Sequence, residues 1–464
     1  MLFQPHPAGP AQRNGLGNSA VNLIPAFLQR RIAHRPNLVK IVDNIGWLFF
    51  GKVLRIIVGV LVVAWIARHL GPEQFGLLNF TIAFIGLFAA IAGLGLQGIV
   101  VRDIVRAPET TRLTLGTAAV LQLVGGLVAY LLILGAIAYL RPDDTLARTL
   151  AAILGATMLF KASEIAVYWF ESQVQSKYTV WVQNSVFLVF AAINVALILK
   201  QAPLLAFVWA MLAEVALAAL MVIAVMSRLG LNLATLMVTA KRAKTLLKDS
   251  WLLILSAIAV SVYMKIDQIM LGQMISEEAV GIYSAAVKIS ELWYFVPMAI
   301  VASVFPAILG AKKRSEELYL ARLQRLYDFL SIMSLAVALP MTFLATPLLG
   351  LLFGDAYIGA GTALAVHIWA SVFVSFGVAS GRWLIAEGRQ NLALQRTLLG
   401  ASANVGLNFW LIPLYGATGA AIATVVSFAI AGYLADLTHA ETRTMFFMKT
   451  RSLNVFAIIK KASH

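Results

Sequence analysis

The 464-residue chain contains no cysteine. Disulfide bonds, thiolate metal sites and cysteine nucleophiles are therefore excluded. Charge is also scarce, because Asp, Glu, Lys and Arg make up 12% of the residues, whereas soluble domains carry roughly 25%. The six histidines are scattered, and no two have the spacing of metal ligands. We therefore expect neither a metal ion nor any other cofactor.

The first 40 residues lack the continuous apolar stretch of a secretory signal sequence. In residues 21–35, apolar and basic positions alternate. Such a segment either lies on an anionic membrane face as a short helix or stays disordered. The sequence leaves both interpretations open.

The rest of the chain is a series of apolar runs of about 20 residues, the length that spans a bilayer as a helix. Hydrophobic residues make up 61% of the chain, and the mean hydropathy is +0.86. The sequence predicts an all-α polytopic membrane protein with twelve transmembrane helices. No loop is long enough to form a catalytic domain, so we do not expect an enzyme.

Basic residues are distributed unevenly between the two sets of loops. With twelve spans, the termini and the loops on their side carry twenty-six Lys and Arg, whereas the opposite loops carry four. Because Lys and Arg concentrate in cytoplasmic loops, both termini are predicted to be cytoplasmic. The net charge of +15 is thus explained by membrane topology, and no nucleic acid partner is expected.

A sequence pattern at the first span recurs at the seventh. A Leu-Gly pair, at 70–71 and again at 271–272, precedes an acidic turn and a second glycine, Gly76 or Gly281. Six spans separate the copies, so both begin on the same side of the membrane. This predicts a parallel repeat of two six-helix lobes around a central cavity. The predicted divisions are a tail 1–40, an N-lobe 41–227, a cytoplasmic connector 228–249, a C-lobe 250–440 and a basic tail 441–464.

Several charged residues lie deep inside the apolar runs. A charge at the bilayer centre costs roughly 3 kcal/mol or more, so such residues usually face a bundle interior or a water-filled path. Basic residues outnumber acidic ones by two, so pairing cannot neutralise all of them. A cavity with unpaired Lys and Arg suits phosphate, which Arg binds through two oxygens. The bases are Lys52, Arg55, Lys161, Lys265, Lys288 and Arg382, and the acids are Glu164, Glu214, Asp267 and Glu291.

The helical spacing predicts where individual side chains point. Lys52, Arg55 and Gly59 share one stripe of the first span. Lys161 and Glu164 share a stripe as well, and a structural ion pair is the alternative to a lumenal role. Lys265 and Asp267 lie about 200° apart around a helix, so they cannot face the same way.

Two asparagines and two prolines complete the candidates. Asn404 and Asn408 lie one turn apart and could bind sugar hydroxyls, although they serve helix packing equally well. Pro297 and Pro340 lie within spans, where a proline frees a backbone carbonyl and offers a hinge.

Seven motifs, in this order along the chain, resemble those of the bacterial polysaccharide transporter family, which includes the O-antigen flippases. The likeness covers roughly residues 44–437 and leaves both tails uncovered. The motifs are LGPEQFG at 70–76, GLG at 93–95, VRD at 101–103, KIDQIMLG at 265–272, VGIYSAA at 280–286, KISE at 288–291 and YGATGAA at 415–421.

The resemblance implies the two-lobe fold of the multidrug and oligosaccharidyl-lipid exporters. It implies movement of undecaprenyl-pyrophosphate-linked oligosaccharide from the cytoplasmic to the periplasmic leaflet of the bacterial inner membrane by alternating access. Arg55, Lys161 and Lys288 would then bind substrate, as would Lys52, Lys265, Asn404 and Asn408. Glu164, Asp267 and Glu291 would couple an ion or gate the path.

The expected partners are the lipid-linked oligosaccharide, membrane lipids, a polysaccharide polymerase and a chain-length regulator. A cation-coupled multidrug exporter of the same fold is the main alternative. Such an exporter favours an acidic or apolar cavity, so the excess of deep bases argues against it. A membrane polymerase or ligase is a further alternative, but those enzymes need a large periplasmic loop, which this sequence lacks.

Overall fold

A computed structural model describes the backbone of residues 36–454 and the side chains from residue 54 onward. Most of the predicted N-terminal tail, the last ten residues of the C-terminal tail and the side chain of Lys52 therefore lie outside the described residues. The described part is helical and contains no strand, as predicted.

Fifteen α-helices, joined by short turns and 3₁₀ segments, make up this part of the chain. They are α1 Pro36–Gly93, α2 Gln97–Arg106, α3 Thr111–Leu140, α4 Thr145–Gly155, α5 Glu164–Ser172, α6 Lys177–Leu199, α7 Leu204–Arg228, α8 Ala240–Met274, α9 Glu277–Leu292, α10 Phe295–Lys312, α11 Glu316–Phe353, α12 Gly361–His367, α13 Ala370–Ala386, α14 Gln390–Gly432 and α15 Arg443–Leu453.

Within residues 36–454, nine helical stretches are long and apolar enough to cross a membrane, or ten if the bent pair α12 and α13 forms one span. Two stretches are far longer than one crossing, at 53 and 48 residues. Each contains one glycine with non-helical dihedrals, Gly71 in α1 and Gly416 in α14. Both have positive φ, which glycine adopts without a Cβ penalty. Each of these two stretches is thus divided at a glycine into two shorter helical segments of a multi-pass membrane protein, and the count of twelve spans stays a prediction.

The structure moves two predicted boundaries. Helix α1 begins at Pro36, inside the predicted tail. The predicted connector 228–249 is irregular only between α7 and α8, because the Thr239 hydroxyl accepts a bond from the Arg242 backbone N–H (3.3 Å) and so caps α8. The last ten residues of that connector, Ala240 onward, therefore continue directly into the seventh span.

The two halves of the chain pack most closely around a pair of glycines. A Cβ built on Gly76 would lie 1.7 Å from the carbonyl oxygen of Glu277, and one on Gly281 would lie 1.9 Å from that of Pro72. Each glycine thus packs against the backbone carbonyl of the residue that lies four positions before the other glycine. This reciprocal arrangement, here called the glycine contact, is what a two-fold axis between the two copies of the sequence repeat would produce.

Polar contacts surround the glycine contact at the same end of the molecule, which we call the tight end. Arg141 pairs with Glu277, donates to the carbonyl of Gly272 (2.8 Å) and lies over the ring of Phe80. The Tyr357 hydroxyl donates to the carbonyl of Ala67 (2.9 Å). The opposite end, which carries residues 229–239, is the connector end.

The short helix α15 is anchored to the C-terminal half by a buried charge cluster. The ammonium group of Lys449 has no solvent exposure and donates to the carbonyl of Gly432 (2.7 Å) and to a carboxylate oxygen of Asp436 (2.5 Å). Arg396 reaches the other carboxylate oxygen at 3.2 Å. Burial lowers the pKa of Lys449 to about 8, although the nearby Asp436 opposes that shift.

We expect Asp436→Ala to lower the free energy of unfolding by about 3–5 kcal/mol, because two buried cations lose their carboxylate. Thermal unfolding of the purified protein and tryptic cleavage within α15 would measure the effect. Glu441→Ala is the matched control, because Glu441 pairs with Arg389 and both side chains are about half exposed. Such a surface pair contributes less than about 1 kcal/mol. Equal stability of the two variants would contradict this prediction.

Candidate functional site

A cavity of about 410 Å³ lies between α1 of the first half and α9–α10 of the second. We call it the central cavity. Its polar lining groups are Arg55, Lys288 and Glu291, and the remaining wall is apolar or aromatic, with Val60, Leu292 and Phe353 among its residues. Helix α1 positions Arg55 and α9 positions Lys288, so the two cations come from opposite halves of the chain.

These cations are not neutralised by ion pairs. Among the described residues, no carboxylate oxygen lies within 4.0 Å of the charged nitrogens of Arg55, Lys265 or Lys288. The Arg55 guanidinium lies 5.1 Å from the ring centroid of Phe187. Glu291 lines the same cavity, so one acidic side chain lies near Arg55 and Lys288 but beyond ion-pair distance.

Lys265 and Asp267 point apart, as their helical spacing requires. The side chain of Lys265 faces the other half of the chain. A Cβ built on Gly86 of that half would lie 3.8 Å from the Lys265 Cγ. Asp267 is buried inside its own half, where it accepts a bond from the Tyr283 hydroxyl and lies 3.4 Å from the Thr424 hydroxyl. Lys265 therefore lies at the contact between the halves, but it does not line the central cavity.

Lys161 and Glu164 form the ion pair that the sequence offered as an alternative. The Lys161 ammonium lies 2.7 Å from one Glu164 oxygen, and the Tyr168 hydroxyl donates to the other (3.0 Å). The Gln122 amide in turn donates to that hydroxyl (2.9 Å). Glu164 and Tyr168 also line a second crevice between the halves. The charge of Lys161 is therefore locally compensated, unlike that of Arg55 or Lys288.

This geometry predicts that the Lys161–Glu164 pair is structural. Lys161→Met alone should lower stability by about 1–3 kcal/mol, because it leaves a half-buried carboxylate without its partner. The double variant Lys161→Met/Glu164→Gln should recover to within about 1 kcal/mol of the native protein. A double-mutant cycle of thermal unfolding measures this coupling. Additive losses from the two substitutions would show that the pair contributes nothing.

The remaining predicted residues do not line the central cavity. Asn404 and Asn408 are fully buried within α14, and the Asn408 amide donates to the Asn404 side-chain oxygen (3.1 Å). In this conformation both are buried in helix packing, and their role in sugar binding stays a prediction. Pro297 lies in the first turn of α10, after the break between α9 and α10. Pro340 lies inside the continuous helix α11, and Arg382 is exposed.

Sequence reasoning did not single out Asn79 and Asn194, which line a smaller pocket beside the central cavity together with Glu214. Each asparagine is an isolated polar residue in an apolar run, and that was the available signal. Arg68 and Arg141 are two of the four basic residues counted in the loops opposite the termini. Arg68 donates to the backbone carbonyl of Leu352 (2.9 Å) and Arg141 pairs with Glu277, so both join the halves through partners more than one hundred residues away.

A family model described as "Polysaccharide biosynthesis protein" matches residues 41–311. The chain belongs to this family. The resemblance read from the sequence motifs is thereby confirmed.

The chain is also similar to curated relatives and, in its fold, to solved structures of other proteins. The "Probable low-salt glycan biosynthesis flippase Agl15" of Haloferax volcanii is 23% identical over 79% of this chain and 77% of its own length. The structure of "Lipid II flippase MurJ, inward closed conformation" has a TM-score of 0.69 at 13% identity, covering 89% of this chain and 92% of that one. An inward-facing multidrug resistance MATE family transporter of the MOP superfamily gives 0.64 at 16% identity, covering 88% and 96%. These two structures establish the fold.

Proposed function

We propose that this protein is a flippase for lipid-linked glycan precursors, which it moves between membrane leaflets by alternating access. The observation that supports the proposal is that Arg55 and Lys288, from opposite halves of the chain, line one cavity without an ion-pair contact to Glu291, its acidic residue. A pyrophosphate that links lipid to glycan supplies oxygens for both cations. Arg55 is suited to hold two of its oxygens at once, while Lys288 binds it from the opposite lobe.

The finer substrate assignment rests on the resemblance. It points to undecaprenyl-pyrophosphate-linked O-antigen, capsule or exopolysaccharide units in a bacterial inner membrane. Because the loops at the connector end carry most of the Lys and Arg, that end is expected to be cytoplasmic and the tight end periplasmic. Glu291, beside Lys288 in the central cavity, is the best placed of the three candidate coupling acids, since Asp267 is buried and Glu164 is paired.

Binding of short prenyl probes tests the proposal directly. Purified protein in nanodiscs should bind farnesyl pyrophosphate more tightly than farnesyl phosphate, and both more tightly than farnesol. Charge-assisted hydrogen bonds contribute about 1.5–3 kcal/mol each, so we expect at least about a tenfold step between the first two. Titration calorimetry measures these affinities. Equal affinity for all three would contradict the proposal, and tighter binding of tetraphenylphosphonium would favour the multidrug exporter.

A further inference from the structure

A second, smaller pocket of about 170 Å³ lies next to the central cavity, lined by residues of the first half of the chain and by Lys288 of the second. We call it the side pocket. Its wall combines aromatic rings with isolated polar groups: Phe75 and Phe207 are buried, and Asn79 and Asn194 are more than nine-tenths buried. A lining of this kind is unusual for a space that only lipid chains would fill.

One polar atom of the side pocket is left without a partner. The side-chain oxygen of Asn194 is buried and accepts no hydrogen bond from the protein. A buried acceptor without a donor costs about 1–3 kcal/mol, so a ligand that brings a donor recovers that energy. The Asn79 amide is held in place by its bond to the carbonyl of Phe75 (2.7 Å), and the Glu214 carboxylate adds further acceptors.

The chemistry of this wall fits a sugar ring. Hydroxyl groups can donate to the Asn194 oxygen and to the Glu214 carboxylate, while the aromatic rings accommodate the C–H face of the ring. An apolar cavity of about 150 Å³ holds one benzene molecule, so the side pocket has the size of a single six-membered ring.

The side pocket and the central cavity share part of their walls. Gly59, Val63 and Lys288 line both. A Cβ added to Gly59 would lie 3.8 Å from Phe187, so the absence of a side chain there keeps the common wall thin. A ligand whose phosphate lies at Arg55 and Lys288 can therefore place the next group along its chain in the side pocket.

We infer that the side pocket binds the sugar joined directly to the pyrophosphate, the reducing-end residue of the lipid-linked glycan. This inference rests on the proposed function and makes it specific: the protein recognises one ring beside the phosphate rather than the outer sugars. A metal ion is the competing occupant. It is disfavoured because Lys288 lines the pocket and Arg55 acts electrostatically on Glu214, and because the described residues contain no cluster of three metal-binding side chains.

The test compares farnesyl pyrophosphate with three conjugates that carry one glucose, galactose or N-acetylglucosamine on the pyrophosphate. Native protein in nanodiscs should bind at least one conjugate about fivefold to tenfold more tightly than the bare probe, since each new hydrogen bond contributes about 1 kcal/mol. Asn194→Leu should remove most of that preference and leave binding of bare farnesyl pyrophosphate unchanged. Glu214→Gln should also remove most of the preference without weakening binding of the bare probe, because it takes away a negative charge near Arg55.

Asn184→Leu is the matched control, because Asn184 lies on the same helix as Asn194 and lines neither cavity. Native protein that binds the bare probe and every conjugate equally would overturn the sugar pocket while leaving the flippase proposal intact. Native protein that binds none of them would remove the proposed function itself. Variants that keep the full preference for a sugar conjugate over the bare probe would also overturn the inference. So would a stabilisation of the protein by sodium ions that Glu214→Gln abolishes. Thermal unfolding confirms that each variant is folded.

Discussion

Lys288→Ala should reduce translocation of a lipid-linked sugar by about tenfold to a hundredfold. The substitution removes a charge-assisted bond to the pyrophosphate, which contributes about 1.5–3 kcal/mol. Arg55→Ala should have an effect of the same size, and Arg55→Lys should recover only part of it, because lysine cannot bind two oxygens in a fixed planar geometry. Among the described residues, neither has a carboxylate oxygen within 4.0 Å of its charged nitrogens, so the loss is not explained by a broken ion pair.

Proteoliposomes containing undecaprenyl-pyrophosphoryl N-acetylglucosamine provide the measurement. A galactosyltransferase added outside modifies only the sugars exposed on the outer leaflet, so its time course reports translocation. Arg382→Ala is the control, because this cation is exposed on α13, and native rates are expected. Native rates for both Arg55→Ala and Lys288→Ala, at equal protein levels, would contradict the cationic substrate path.

Gly281→Ala should displace the protein from the conformation described here. The new Cβ would overlap the Pro72 carbonyl oxygen, and Gly76→Ala would overlap that of Glu277 in the same way. Overpacking of this kind costs about 3 kcal/mol or more, which changes the ratio of two conformations by about a hundredfold. We therefore expect each variant to open the tight end and to translocate substrate at least about tenfold more slowly.

The absence of cysteine makes the opening measurable. Glu73→Cys and Glu278→Cys place labels on exposed positions on either side of the tight end, and no native thiol competes for them. Spin-label distances should be longer and broader in the glycine variants than in the labelled parent. Gly135→Ala is the matched control, because nothing lies within 4 Å of its added Cβ. Unchanged distances in both glycine variants would show that the contact can adapt.

Sequence patterns predicted the features that depend on short-range geometry. Hydropathy located the spans, and helical spacing separated Lys265 from Asp267. The repeated motif also identified Gly76 and Gly281 as equivalent positions. It did not reveal that they touch, because a repeat fixes topology but not which faces of the two copies meet.

Patterns failed where the outcome depends on a distant partner. Spacing placed Asn404 and Asn408 on one face of a helix, yet it could not distinguish a face turned to a cavity from one packed on another helix. Lys449 was read as one more basic residue of a tail, whereas the Asp436 carboxylate and the carbonyl of Gly432 hold it in a fully buried site. Lys161 illustrates the same limit, since only the fold decides that Glu164 compensates it.

The glycine contact has a consequence for how such a molecule arose. Each glycine packs in the same way against a carbonyl four residues before the other glycine. A half-length chain could therefore form the same contact with a second copy of itself. A homodimeric ancestor would then have been able to seal its pathway before gene duplication and fusion joined the halves. After fusion, Arg141 and Lys288 could each be kept in one half only, which gives the pathway a polarity that identical subunits could not have.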